Sequence, residues 1–372
     1  MKVQDLIHKF PHLPEQIFQK LDNESLFKCR EVTKSSWQNV IDGRNYPWLR
    51  IVNIPTLLNR GNTYLHLAAK TGQTEAYKEA LVKDEDKNVR NEFDETSFHL
   101  ACKNGRINIV HLLLKNTDLE VKINTKHNHG IDLNARTKNG YTAFHWTCIR
   151  GHSDIFIFLM ENAAILSVDL DAKSDFGQTA FFLACQRDRS DIIKISMENA
   201  PTLGIDLNTV NKDGMTAFHW ASIKGYSDVV KIFMENAAAL SIELNKKDKD
   251  GKTAFHWAGI KGHLDVVKIF MENAVALKID LNEIDKDGKT AFHWAGIKGH
   301  LDVIKIVMEN AAVLSIDLNA IDKDGMTAFH LVCQRGYLDV VNIFMENAAA
   351  LSIDLNAIDK DGMTGYNRYF ST

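Results

Sequence analysis

The sequence predicts an all-α solenoid of stacked helix pairs joined by β-turn or hairpin fingers, preceded by a small three-helix domain. Three observations lead there. The tripeptide Thr-Ala-Phe returns at Thr142, Thr179, Thr216, Thr253, Thr290 and Thr327, always 37 residues apart. Each return opens two runs with apolar residues at helical spacing. The first fifty residues carry none of this period and have a pattern of their own. Self-similarity at this length marks architectures in which each unit buries its apolar flank on the next.

Residues 1–50 read as three short helices. Pro14 and Glu15 suit a helix start, with proline at a first position where its missing amide costs nothing. Ile17, Phe18 and Leu21 form the apolar face of that helix. Asn23 or Ser25 caps a second one with Leu26 and Phe27, and a third runs from about Thr33 with Trp37 and Ile41 on one side. Residues 51–62 read as a linker. The repeats then occupy 63–363, about eight units, and 364–372 begin a further unit on the same grid, with Gly365 after Thr364. Thr63 and Thr96 open early units only 33 residues apart.

The unit around Thr290 shows why each piece folds. Asp287-Gly288 is a tight-turn signal, because glycine reaches positive φ without steric cost. Thr290 is placed as an N-cap and His293 lies three residues on, able to bond back to it. A short helix ends at Gly299. Asp302 then sits in the first turn of a second helix, where negative charge suits the dipole. Val303, Ile304, Val307, Met308, Ala311 and Ala312 are its apolar stripe. Four residues beyond a 33-residue period amount to about one helical turn, roughly 6 Å. They are alanine-rich, which predicts a longer second helix rather than a longer loop. The unit at Thr179 has Phe182 for the histidine and Asp188 for the closing glycine, and is expected to be the least regular. Trp146, Trp220, Trp257 and Trp294 are expected in the core, so that Trp257→Ala costs ~3–5 kcal/mol.

A turn followed by two antiparallel helices, opened by Thr-x-x-His-x-Ala-like residues, resembles the ankyrin repeat from about Pro55 onward. The resemblance implies a protein-binding stack whose targets meet the turn tips and the exposed end of each first helix. On this sequence those positions include Lys249, Lys286 and a basic column, Arg150, Arg187, Lys224, Lys261, Lys298 and Arg335. The column suits a client protein with an acidic segment. It also suits the negative end of each first helix, so both readings stay open.

In residues 1–50, the order Leu13-Pro14-x-x-Ile17, Leu21, Leu26, Arg30, Val32, Lys34, Trp37 resembles the F-box. That resemblance implies docking on the Skp-family adaptor of cullin–RING ubiquitin ligases through Leu13, Pro14, Ile17, Leu26 and Val32. It makes the chain the substrate-recognition subunit of an SCF-type ligase, with the repeats holding the client. Thr33 departs from the family's frequent cysteine after the valine. The alternative is a scaffold or sequestering protein whose N-terminal helices only cap the stack.

Composition excludes other classes. A formal charge of −4 lacks the basic footprint of a nucleic-acid binder. No apolar run is long enough to span a membrane. Five cysteines, an odd number without a C-x-x-C pair, fit a reducing compartment, cytoplasm or nucleus. The histidines at one repeat position, and the ligand-like spacing of His145, Cys148 and His152, are read as capping and packing, so no metal or cofactor is expected. No catalytic residues are assigned: no nucleophile–base pair, paired catalytic carboxylates or phosphate loop stands above the repeat background. The chain after Thr364 gives the last full unit no regular cap. This suggests either a truncated array or a flank that meets another protein, and low hydrogen-exchange protection over the final thirty or so residues.

Overall fold

A computed structural model describes residues 61–82, 86–115 and 131–370. Leu13, Pro14, Ile17, Leu26 and Val32, and the F-box expectation with them, lie outside the described residues. The chain divides into two compact units at Asp132 and Leu133. In the first unit, α1 (Tyr64–Thr71) pairs with α2 (Thr74–Val82), and α3 (Ser97–Lys103) with α4 (Ile107–Lys115). The second unit begins with α5 (Ala143–Arg150), α6 (Ser153–Glu161) and α7 (Ala163–Leu166). It continues with α8 (Ala180–Gln186), α9 (Ser190–Leu203), α10 (Ala217–Lys224) and α11 (Ser227–Asn236). Then come α12 (Ala254–Lys261), α13 (Leu264–Asn273), α14 (Ala291–Lys298) and α15 (Leu301–Leu314). Last are α16 (Ala328–Arg335), α17 (Leu338–Leu351) and α18 (Gly365–Phe370).

Each first helix starts as the sequence dictates. Thr290 takes an extended conformation, and its hydroxyl accepts from His293 N (3.4 Å) while its own amide donates to His293 Nδ1 (3.1 Å). The same reciprocal box opens α1, α3, α5, α10, α12 and α16. It satisfies two amides that a helix start leaves open. The helix ends at a glycine of positive φ, Gly299 at 69°. The unit at Thr179 keeps this path with a shorter first helix: Asp188 takes the left-handed conformation (φ 56°), and with Phe182 in place of histidine only the threonine half of the box remains.

The added residues extend the second helix, as expected. α9, α15 and α17 run unbroken for 14 residues. In α11 and α13 the regular helix stops at asparagine, yet the backbone keeps its bonding: Leu240 N–H donates to Asn236 O and Leu277 N–H to Asn273 O, both at 3.0 Å. A left-handed residue ends each segment, and it is seldom glycine: Ser167, Ser241, Lys278, Ser315 and Ser352 serve, with Gly204 the exception.

The core is a file of rings between the two helix layers. Phe218 lies 5.2 Å from Phe233 and 5.4 Å from Phe270, which in turn lies 5.3 Å from Phe255. Phe218 thus packs on its own unit and on the next. Val303, Ile304, Val307, Met308 and Ala311 are buried as expected, but Ala312 faces outward, because the stripe is narrower than the run of apolar letters.

Of the two expected forms the fingers take the turn, and no strand forms among the described residues. Asp285 N–H donates to Lys289 O and Gly288 N–H to Asp285 O, and one backbone bond, Lys286 N–H to Asp250 O (2.9 Å), joins neighbouring tips. A single bond per finger is too few for a ladder. The four tryptophans are half-buried rather than core, since they stand on the side of the first helix that faces the fingers. Phe218, Phe255 and Phe292, two residues earlier, fill the core instead.

The last full unit is partly covered. Tyr366 of α18 packs edge-on against Phe329 at 5.5 Å, and Arg368 Nε donates to Asp359 Oδ2 at 2.7 Å. Along α17, Leu338 and Met345 are exposed.

Candidate interaction surface

Three rows of side chains repeat along the second unit and build its finger-facing surface. The deepest is a row of turn carboxylates. Asp285 Oδ1 accepts from Asp287 N (2.8 Å) and Lys289 N (2.9 Å), which fixes the turn. Its other oxygen accepts from Trp294 Nε1 at 2.8 Å, and Lys252 Nζ of the preceding repeat stands 3.6 Å from it and 5.2 Å from the Trp294 ring centre. Burial pushes the Asp285 carboxyl up, but these hydrogen bonds and the lysine charge outweigh that and hold it below the ordinary carboxylate value. Trp257 donates in the same way to Asp248 Oδ2 at 2.9 Å, and Lys289 reaches Asp322 at 2.9 Å. At the end of the row, Arg368 replaces the tryptophan and its bond counters the burial of Asp359, whose carboxyl is likewise lowered.

Asn211 occupies the same position one repeat before Asp248, and there Trp220 Nε1 has no partner. Asn211 Oδ1 still caps the turn by accepting from Asp213 N and Met215 N, both at 2.9 Å. An amide group can present only a donor to the indole once its oxygen is committed to the turn.

The second row is histidine. The ring of His219 accepts at Nδ1 from Thr216 N–H (3.1 Å), so its proton is on Nε2, which donates to Lys252 O of the following repeat at 3.1 Å. His145 reaches Gln178 O, His256 reaches Lys289 O, His293 reaches Met326 O and His330 reaches Met363 O by the same geometry. Burial pushes His145 and His219 down to about 4, against the raising effect of these carbonyl bonds, and lowers His256 and His293 too. Both ring nitrogens are committed to protein groups, which leaves none to bind a metal. No cluster of three or more candidate metal ligands occurs among the described residues. Cys102, Cys148, Cys185 and Cys333 are buried thiols, and burial raises Cys148 to about 12.

The third row holds the basic column. Arg150, Arg187, Lys224, Lys261, Lys298 and Arg335 are all exposed at or just after the ends of successive first helices, and none is ion-paired among the described residues. Arg150 and Lys224 lie over the indoles of Trp146 and Trp220, at 5.9 and 5.8 Å from the ring centres. Lys249 and Lys286 stand exposed at finger tips, each beside an aspartate, Asp250 and Asp287. The column and the tips are thus separate rows, with the tryptophans rising from the helices that carry the column.

Sequence reasoning missed the bond that each histidine sends to the next repeat and an asparagine row that does the same. Asn282 Nδ2 donates to Ser315 O (2.8 Å) while its Oδ1 accepts from Asp317 N (2.9 Å). Asn134, Asn208, Asn245 and Asn319 repeat both bonds. The signal was present: from Asn134 to Asn356 an asparagine recurs on the 37-residue grid behind Asp-Leu or Glu-Leu, with Asp171 the one departure.

Among the described residues no helix is long and apolar enough to cross a membrane. Two family descriptions match the chain. Ankyrin repeats (3 copies) match 48–127, 65–167, 122–199, 163–245, 194–278 and 237–317, and ankyrin repeats (many copies) match 297–344. An ankyrin repeat protein of Acanthamoeba polyphaga mimivirus is 30% identical over 116 residues, which is 31% of this chain and 13% of that relative's length. The aligned stretch thus spans about an eighth of that relative.

Proposed function

The chain belongs to the ankyrin-repeat family, whose repeats are protein–protein interaction modules, and from that premise we propose that it is the substrate-recognition subunit of an SCF-type ubiquitin ligase. Leu13, Pro14, Ile17, Leu26 and Val32 dock the Skp-family adaptor, and the repeat array holds a client protein. The chain supplies proximity and leaves catalysis to other subunits. Client binding rests on one observation above all. Six successive repeats present an exposed, unpaired cation at the same position, beside an exposed finger row whose charges alternate. Arg150, Arg187, Lys224, Lys261, Lys298 and Arg335, with Lys249 and Lys286 at the tips, form the client surface, and an acidic segment of the client complements the column. The ligase assignment rests on the order of residues 13–37, which a simple cap for the repeats does not need. A pull-down of the adaptor by the full chain tests it, with Pro14→Ala plus Ile17→Asp as the control. Retention by the native chain and loss by the variant is the expected result. No retention by the native chain leaves an ankyrin scaffold without a ligase.

A further inference from the structure

Three consecutive first helices, α10, α12 and α14, carry the same set at one helix face: Trp220, Ile223 and Lys224, then Trp257, Ile260 and Lys261, then Trp294, Ile297 and Lys298, with Ile223 and Ile260 half-buried and Ile297 buried. Positions i, i+3 and i+4 lie on one helix face, so each repeat offers an indole edge and a cation together, and the first two add an isoleucine. The indoles are half-buried and the cations exposed. Trp257 and Trp294 are held in place by their bonds to Asp248 and Asp285, so the shelf they form is rigid.

The charges nearby do not cancel the cations. At the tips, Lys212, Lys249 and Lys286 alternate with Asp213, Asp250 and Asp287, and these pairs sum to zero. Asp228, Asp265 and Asp302 lie in the first turns of α11, α13 and α15, where they offset the free amides of those helices. Asp248, Asp285 and Asp322 are buried in the turns.

The distance between repeats then selects a partner. Packed helices stand about 8–10 Å apart. A polyproline II segment advances about 3.1 Å per residue with three residues per turn, so every third side chain points the same way at intervals of about 9.3 Å. An extended strand presents one face every second residue, at roughly 6.7 Å, and falls out of step after one repeat. We propose that the repeats opened by Thr216, Thr253 and Thr290 hold an extended, polyproline II-like segment whose carboxylates recur at every third residue. The apolar residues between the carboxylates lie on the indole and isoleucine shelf. This inference rests on the reading of the array as a client-binding surface and adds the spacing of the client's charges.

The test uses the full chain and two fluorescent 16-residue peptides of identical composition, rich in proline and alanine with six glutamates. One has glutamate at every third position, and the other has the six placed in one half. Fluorescence anisotropy at physiological salt is expected to show at least tenfold tighter binding of the first. Lys224→Ala, Lys261→Ala and Lys298→Ala together are expected to remove that preference without changing the circular dichroism. Equal affinities, an unchanged preference in the triple variant, or no binding of either peptide overturns the inference. The broader client reading fails on a separate measurement. Proximity labelling by the full chain would then recover no protein that is lost when the three lysines are reversed to glutamate.

Discussion

Replacing Asp285 by asparagine isolates the turn carboxylate. Asparagine keeps the oxygen that caps Asp287 N and Lys289 N, so the finger retains its shape. It loses the acceptor for Trp294 Nε1 and the negative partner of Lys252, whose side chain is 11% exposed. A hydrogen bond to a charged group contributes about 1.5–3 kcal/mol, and a buried donor left unpaired costs about 1–3 kcal/mol. The two overlap, and the half-buried indole can recover some hydration, so about 2–3 kcal/mol is expected. The molecule contains its own reference: Asn211 already stands at this position in an earlier repeat, and there the indole of Trp220 is unpartnered. Asn211→Asp is accordingly expected to stabilise, by only ~1 kcal/mol, because Gln178, two intervals before Lys252, holds the position relative to Asn211 that the lysine holds relative to Asp285. Chemical denaturation followed by tryptophan fluorescence, with hydrogen exchange of the Thr216 and Thr290 repeats, reads both changes. A loss below 0.5 kcal/mol for Asp285→Asn, or destabilisation by Asn211→Asp, would refute the assignment of the carboxylate as the anchor of the indole.

Acidification tests the histidine row. His145 and His219 are lowered to about 4 in the folded chain, so between roughly pH 6.5 and 4 the unfolded chain binds more protons and stability falls as pH falls, by up to about 3 kcal/mol for each. Asp285, lowered as well, contributes stability that is present above its unfolded value and lost only below about pH 4. A denaturation midpoint that does not change between pH 7 and 5 contradicts the burial of neutral imidazoles. Gly262 and Gly336 both have φ near 70°, but a Cβ on Gly262 lies 2.5 Å from His300 Nδ1 while one on Gly336 meets nothing within 4 Å. Alanine is expected to cost about 1–2 kcal/mol at Gly336 from the backbone alone, and more at Gly262. Equal costs show that the histidine moves aside freely. At Ser315, where φ is 53°, glycine relieves a left-handed residue and is expected to raise stability by about 0.5–1 kcal/mol. A lower denaturation midpoint would show that the serine side chain contributes more than its backbone costs.

The repeat, its caps and its longer second helix were legible because each depends on residues close in sequence. Thr290 and His293 are three apart, and the alanines after Asn310 extend a helix already begun. The tryptophans were misplaced for a related reason. Helical spacing puts Trp294 and Phe292 on different faces, but it does not say which face meets the next repeat. Phenylalanine takes the core and the indole, with a polar group to satisfy, takes the carboxylate. The bonds from His219 to Lys252 O and from Asn282 to Ser315 O cross 33 residues, and only the stacked units bring those atoms together. Serine rather than glycine at the left-handed position escaped notice because the neighbouring repeat's asparagine holds its carbonyl, a contact invisible in a single unit. For the client surface, the basic column was evident as letters. Its alignment with half-exposed indoles was not.

Native-state hydrogen exchange of the full chain carrying His256→Ala addresses most directly the claim that each unit is held by its neighbours. The variant removes the histidine half of the capping box of α12, leaving the Thr253 half, and it removes the bond to Lys289 O. Protection is expected to fall most in the repeats opened by Thr253 and Thr290 and to recover with distance on either side. A uniform fall across residues 133–370, or a loss centred on the Thr142 or Thr364 units, would mean that the chain coheres through something other than contacts between adjacent repeats.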